Sequence, residues 1–139
     1  MNGIEEGGSG PENFEARISQ ELRDISHQLG FQETPELLGI QRGAVEQSKM
    51  SSGSATEKMY ENIAQIQILG MEITGDQLSR VGLDIQRAAT LLECGQYQLC
   101  LDELELIYNP QDINIPPSVN KLLLDIIKRL QQLIGAKPQ

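Results

Sequence analysis

Tryptophan is missing from this chain of 139 residues, phenylalanine occurs twice, tyrosine three times and histidine once. A surface that holds single-stranded or duplex nucleic acid needs basic charge and aromatic platforms. With so few rings and a formal net charge of -9, direct nucleic-acid binding is not expected. Cysteine is nearly as scarce. Cys94 and Cys100 are six positions apart, which matches neither a CxxC redox pair nor a zinc knuckle, and two thiols cannot build a disulfide scaffold. Both are expected to be reduced and half-buried. No run of eighteen apolar residues occurs, so no membrane span is expected. The opening MNGIEEGGSG carries neither a basic n-region nor an apolar h-region, and the expected location is the cytoplasm.

Catalytic signatures are equally thin. No triad, metal cluster or phosphate loop can be read, and the carboxylate pairs Glu5-Glu6 and Asp102-Glu103 are adjacent, so on any helix they point apart and cannot flank one reacting bond. No nucleophile has a base close to it in sequence. A non-enzymatic protein is expected, with no cofactor and no metal.

What the chain does carry is acid, unevenly placed. Residues 1–36 hold eight acids against two arginines, residues 76–109 six acids against two arginines, and residues 37–75 are nearly balanced. Only residues 110–139 are basic, with Lys121, Lys128, Arg129 and Lys137 against Asp112 and Asp125. An acidic surface suits a basic protein partner, by steering it and excluding others. It also serves solubility alone.

Residues 1–10 are rich in Gly and Glu without apolar period and read as a disordered leader. Phe14, Ile18, Leu22, Ile25 and Leu29 then recur at steps of four and three, which predicts an amphipathic helix opened by Pro11 and closed at Gly30. Thr34-Pro35 is a second start signal, cap followed by first helical position, for a helix through Leu37, Leu38 and Val45. SKMSSGSA, 48–55, reads as a polar hinge loop. Met59, Ile63, Ile66 and Leu69 form the next stripe, with Gly70 as its stop. Thr74 and Gln77 make a capping-box pattern before Leu78, Val81, Ile85, Ala88, Leu91 and Leu92, and Gly95 ends that helix. A helix from Tyr97 to Tyr108 follows. Ile113 and Ile115 alternate in the next turn and are expected to plug the core from the loop, with a two-stranded ribbon as the alternative. The broadest stripe comes last: Val119, Leu122, Leu123, Ile126, Ile127, Leu130, Leu133 and Ile134. The expected fold is all-α, one helical bundle of five or six helices over residues 11–135, with residues 136–139 a flexible tail.

The run LLECGQYQLCLDELELIYNPQ resembles one tetratricopeptide helix hairpin, covering residues 78–110. Ala88 and Cys100 are its small residues, Gly95 and Tyr97 its turn, and Asn109-Pro110 its end. That resemblance implies two antiparallel helices in close approach, with the tyrosine in the elbow; stable arrays need about three units and only one is visible. With the following IPPSVNKLLLDII, residues 78–134 are also similar to MafI-type immunity proteins, small cytoplasmic antidotes to bacterial polymorphic toxins. The resemblance implies an immunity or inhibitor protein that occludes a toxin. A helical adaptor or secretion chaperone is the alternative within the same binding class.

Leucines lie on two sides of the helix that starts at Tyr97. At about 100° per residue, Tyr97, Cys100, Leu101, Leu104, Ile107 and Tyr108 share one direction and belong to the core. Leu99 and Leu106 point nearly the opposite way, flanked by Asp102 and Glu103. An apolar centre rimmed by carboxylates is what a partner-binding face requires, and these four residues are the candidate site. The competing reading has the N-terminal helices covering this side, with both leucines in the core. His27 is expected to be exposed, off the stripe of its helix. An exposed helical histidine in an acidic bundle is what a phosphotransfer domain offers; a surface histidine without chemistry is the other reading.

Overall fold

The computed structural model describes residues 11–50 and 53–136. The expected leader, 1–10, and most of the expected tail lie outside the described residues. Among the described residues six helices follow one another: α1 (Pro11–Gln28), α2 (Pro35–Lys49), α3 (Gly53–Ile73), α4 (Gln77–Glu93), α5 (Tyr97–Ile107) and α6 (Pro117–Ala136). Among the described residues there is no strand, and no helix is long and apolar enough to cross a membrane.

The hub is α4. It packs against α1, α2, α3 and α5, while α2 lies along α3 and α6 lies on α5. Ten of its 17 residues are accordingly buried. Around it the stripes read from the sequence form the main core: Ile18, Leu22, Ile25 and Leu29 from α1, Met59 and Ile63 from α3, Leu104 from α5, and Leu123, Ile126 and Leu130 from α6. A smaller cluster, Phe31, Leu37, Ile66 and Leu83, closes the end where α1 turns into α2. Arg129 of α6 reaches Glu21 of α1 with both terminal nitrogens and Asp125 one turn back at 3.0 Å, tying the last helix to the first.

Several boundaries fall where expected. Gly30 and Gly95 have φ of +96° and +81°, the left-handed conformation that ends α1 and α4 at low steric cost. Thr34 caps α2, its hydroxyl oxygen accepting from the Leu37 N–H at 3.1 Å, with Pro35 next.

Others move. Gly70 does not stop α3, which runs on to Ile73. A Cβ on Gly70 would lie 2.3 Å from Leu83 Cδ1, so the glycine lets α3 approach α4. Because α3 continues, the Thr74 N–H bonds the Gly70 carbonyl at 3.1 Å and its hydroxyl turns back to the Met71 carbonyl. Thr74 is therefore spent on finishing α3. The cap of α4 is Asp76, whose carboxylate accepts from the Ser79 N–H at 2.8 Å while the Ser79 hydroxyl reaches back, a capping box two residues later than expected. The polar stretch 48–55 is shorter as a loop than expected, since α2 extends through Lys49 and α3 starts at Gly53. Ile115 plugs the core, but Ile113 is 95% exposed, and Leu122 faces outward from the α6 stripe.

Candidate partner-binding face

Helices α4 and α5 form a tight hairpin about Gly95. After Glu93 the chain turns at once, the Gly95 N–H bonding the Leu92 carbonyl and the Gln96 N–H the Leu91 carbonyl, both at 2.9 Å. Ala88 on one helix and Cys100 on the other are fully buried, small side chains that admit close approach. With α5 pinned by Leu101 and Leu104 to the core, its opposite face must look outward.

That is where the structure places Leu99 and Leu106, 40% and 81% exposed. The reading in which the N-terminal helices cover this side and bury both leucines in the core is overturned by that exposure. Asp102 is exposed beside the leucines and accepts from Gln98 one turn earlier at 2.9 Å. Glu103 behaves differently. Its carboxylate is turned toward α4, where it pairs with Arg87, and its side chain is largely covered. Glu103 is thus a strap across the hairpin, and the expected set of four outward residues reduces to Leu99, Asp102 and Leu106.

The sequence reading did not find α3's share of this side. Tyr60, Ile68 and Met71 are exposed apolar side chains at helical spacing on α3. The Tyr60 hydroxyl donates to Gln96 Oε1 at 3.1 Å, which sets α3 against the start of α5. Between the two helices lies Asp84 of α4. Burial pushes its carboxyl up, the Glu103 carboxylate pushes it further, and Arg87 and a hydrogen bond from Gln67 of α3 only partly offset this. One carboxyl group thus feels both neighbouring helices, so α3 and α5 flank α4 on a shared side. The signal was a doubled apolar pattern in α3, Met59, Ile63 and Ile66 inward and Tyr60, Ile68 and Met71 outward.

Neither a family model, nor a curated protein, nor a solved structure matches the chain.

The remaining candidates are placed as follows. His27 is exposed in the last turn of α1, with Nε2 2.9 Å from Glu33 Oε1. Burial raises the Glu33 carboxyl, but the His27 hydrogen bond, its own backbone N–H and the His27 and Arg23 charges outweigh it, and the group is lowered. Cys94 and Cys100 are free and buried, and burial pushes their thiols up to about 11 and about 12. They stay protonated at neutral pH and are poor nucleophiles.

A polar network inside the bundle was also missed. Arg23 of α1, 15% exposed, donates to both oxygens of Glu93 at 2.7 and 3.1 Å, to Gln41 of α2 at 3.1 Å, and to Gln86 of α4. Gln86 in turn donates to Ser26, and Ser19 to Glu93. A cleft of about 400 Å³ opens beside it between α1 and α2. Glu33, Glu46 and Glu93 border it against Arg23, Arg42 and Lys49, so it has no net charge with which to select an ion.

Proposed function

We propose that the chain is a stoichiometric protein-binding module that seats a basic protein on the outer face of α5. The observation that carries this is the pair Leu99 and Leu106, held in water on a helix whose other apolar residues are covered, with Asp102 between them. Two large apolar groups one face apart, bordered by a carboxylate, supply a desolvated centre and a charge that orients the partner. The acidity of residues 76–109 supplies the long-range attraction. Within this class the favoured reading is an immunity protein. It rests on the likeness of residues 78–134 to MafI-type proteins and on a hairpin of tetratricopeptide character. In that role α5 lies across a basic substrate-binding cleft of a toxin and occludes it, performing no chemistry itself.

The reading requires a secreted protein with a C-terminal toxin domain in the neighbouring upstream reading frame, and the test is to look for that frame, co-express its toxin domain with the chain and measure binding on the purified pair; a frame without such a domain counts against the immunity role. Rescue of growth is the expected result, and Leu106→Ala is expected to weaken binding by about 1–2 kcal/mol, mostly through faster dissociation. Asp102→Lys should weaken it further at low salt than at high salt. Neither change should alter the melting temperature, because both side chains are exposed. Glu103 is unsuitable for this test, since its replacement cuts the strap to Arg87. If Leu106→Ala and Asp102→Lys both bind as the native chain does, the face is wrongly placed.

A further inference from the structure

The loop between α5 and α6 combines a protruding apolar side chain with an apolar hollow. Ile113, at 95% exposure, is the most exposed large apolar side chain among the described residues. It is not on a loose strand of chain. The Asp112 N–H bonds the Asn109 carbonyl at 3.1 Å, the Ile115 N–H bonds the Asp112 carbonyl at 3.2 Å, and the Asp112 carboxylate accepts from the Asn114 N–H at 2.9 Å. Asn120 of α6 anchors the loop by donating to the Asn109 carbonyl at 3.1 Å. Ile113 is therefore presented to water from a fixed base.

Beside it opens a cleft of about 450 Å³, with Tyr108, Pro110, Pro117 and Leu124 as apolar walls and Ile113 on its border. The two charges on the border are Asp112 and Lys121. Asn120, only 7% exposed, also lines it, and its side-chain carbonyl has no hydrogen-bond partner among the described residues. Knob and hollow belong to one patch, and so do one acid and one base.

We propose that this patch is a contact between two copies of the chain, related by a twofold axis, in which each Ile113 enters the other's cleft. A twofold contact presents the same patch twice, so whatever i offers j must be returned by j to i. A patch with its own knob, its own hollow and a balanced charge pair meets that condition, with Lys121 of one copy set against Asp112 of the other. Charge also selects the location. Copies carrying -9 each repel one another over most of their surface, and residues 110–139 are the one segment with a basic excess. The loop that enters brings backbone N–H groups toward the Asn120 side-chain carbonyl, which has no donor among the described residues. A contact made of one loop and one cleft is at the small end of protein interfaces, so dissociation in about the 10–100 µM range is expected.

Sedimentation velocity on the full chain, from low micromolar concentration to about 0.5 mM, tests this. The native mass is expected to climb from 15.4 kDa toward twice that value. Ile113→Asp removes the knob and places a charge over an apolar hollow, and should raise the dissociation constant by at least about tenfold. Lys121→Glu should weaken association too, by about three- to tenfold, with the loss shrinking at high salt. Circular dichroism and melting of both variants should match the native chain, because both side chains are exposed. A native chain that stays monomeric up to about 0.5 mM overturns the proposal. So does a dimer that Ile113→Asp leaves unchanged, which would place the contact on another face.

Discussion

Asp84 is where charges from α4 and α5 and a hydrogen bond from α3 meet one carboxyl group, and its sign of response to pH is fixed by that surrounding. Its carboxyl is held above the ordinary 3.8 by burial and by Glu103, against the pull of Arg87 and Gln67. The folded protein thus binds this proton more tightly than the unfolded chain does. The resulting stability is full below about pH 3.8 and is lost as pH rises through the folded-state value, so at neutral pH the charged group is a net cost. Asp84→Asn is expected to raise the melting temperature at pH 7, with the gain vanishing near about pH 3. Glu33 has the opposite sign: its lowered carboxyl contributes stability above the ordinary 4.5 that is lost as pH falls. Glu33→Gln should therefore lower the melting temperature at pH 7 and do nothing in acid. Melting curves of both variants at the two pH values check the pair, and matching signs would contradict the assignment.

At the scale of the helix, close approach rather than turn-making explains Gly70 and Gly82. Gly82 of α4 meets α1 so tightly that a Cβ there would sit 2.8 Å from Phe31 Cβ and 2.9 Å from the Ser26 carbonyl oxygen, a backbone atom that cannot swing away. Gly39 of α2 has nothing within 4 Å of the same added atom. Gly82→Ala is predicted to cost about 1–3 kcal/mol through overpacking, whereas Gly39→Ala should gain about 0.5–1 kcal/mol from helix propensity alone. Urea titrations of the two variants separate the effects, and losses of equal size would mean that α1 does not ride on Gly82. These contacts also show what a sequence can and cannot display. The 3.6-residue period sets Leu99 and Leu106 opposite Cys100, Leu101 and Leu104 on α5 but leaves open whether another helix covers that side, and their exposure decides it. Periodicity says nothing about which helix lies beside a residue, so from the sequence Glu103 reads as a rim charge although Arg87 meets it from 16 positions back. From the sequence Gly70 reads as a stop, because a glycine in a pattern signals termination as readily as contact. Only the distance to Leu83 distinguishes the two.

Across the whole molecule, the buried polar network decides how α1 and α2 are set on α4. Along α2, Gln41 comes one turn after Leu37 of the small cluster and before Ala44 of the main core; along α4, Gln86 likewise follows Leu83 and precedes Ala89. A polar layer thus separates two apolar clusters, with Arg23 of α1 supplying donors to acceptors on two other helices, Gln41 of α2 and Gln86 and Glu93 of α4. Its trace in the sequence was polar residues at helical spacing, Ser19, Arg23 and Ser26 on α1 and Gln86, Thr90 and Glu93 on α4, positions that a search for apolar stripes passes over. The layer constrains registry, because sliding α1 by one turn along α4 would bury the guanidinium against leucine. Removing Arg23 alone leaves Glu93, 29% exposed, without its cation, takes from the Gln41 side-chain carbonyl its Arg23 donor, and leaves the Gln86 side-chain carbonyl only the longer bond from Gln41 at 3.3 Å. Arg23→Met is therefore predicted to cost about 3 kcal/mol, the lower end for a broken buried pair because water still reaches Glu93. Adding Glu93→Leu removes the stranded charge, and the double variant should recover at least half of that loss, since the penalty comes from an unpaired charge more than from a lost attraction. Hydrogen exchange gives the structural readout: in Arg23→Met the amides of α1 should lose protection before those of α4, and in the double variant protection should return without the native registry being enforced. A loss below about 0.5 kcal/mol for Arg23→Met would mean that the apolar stripe of α1 alone seats it on α4.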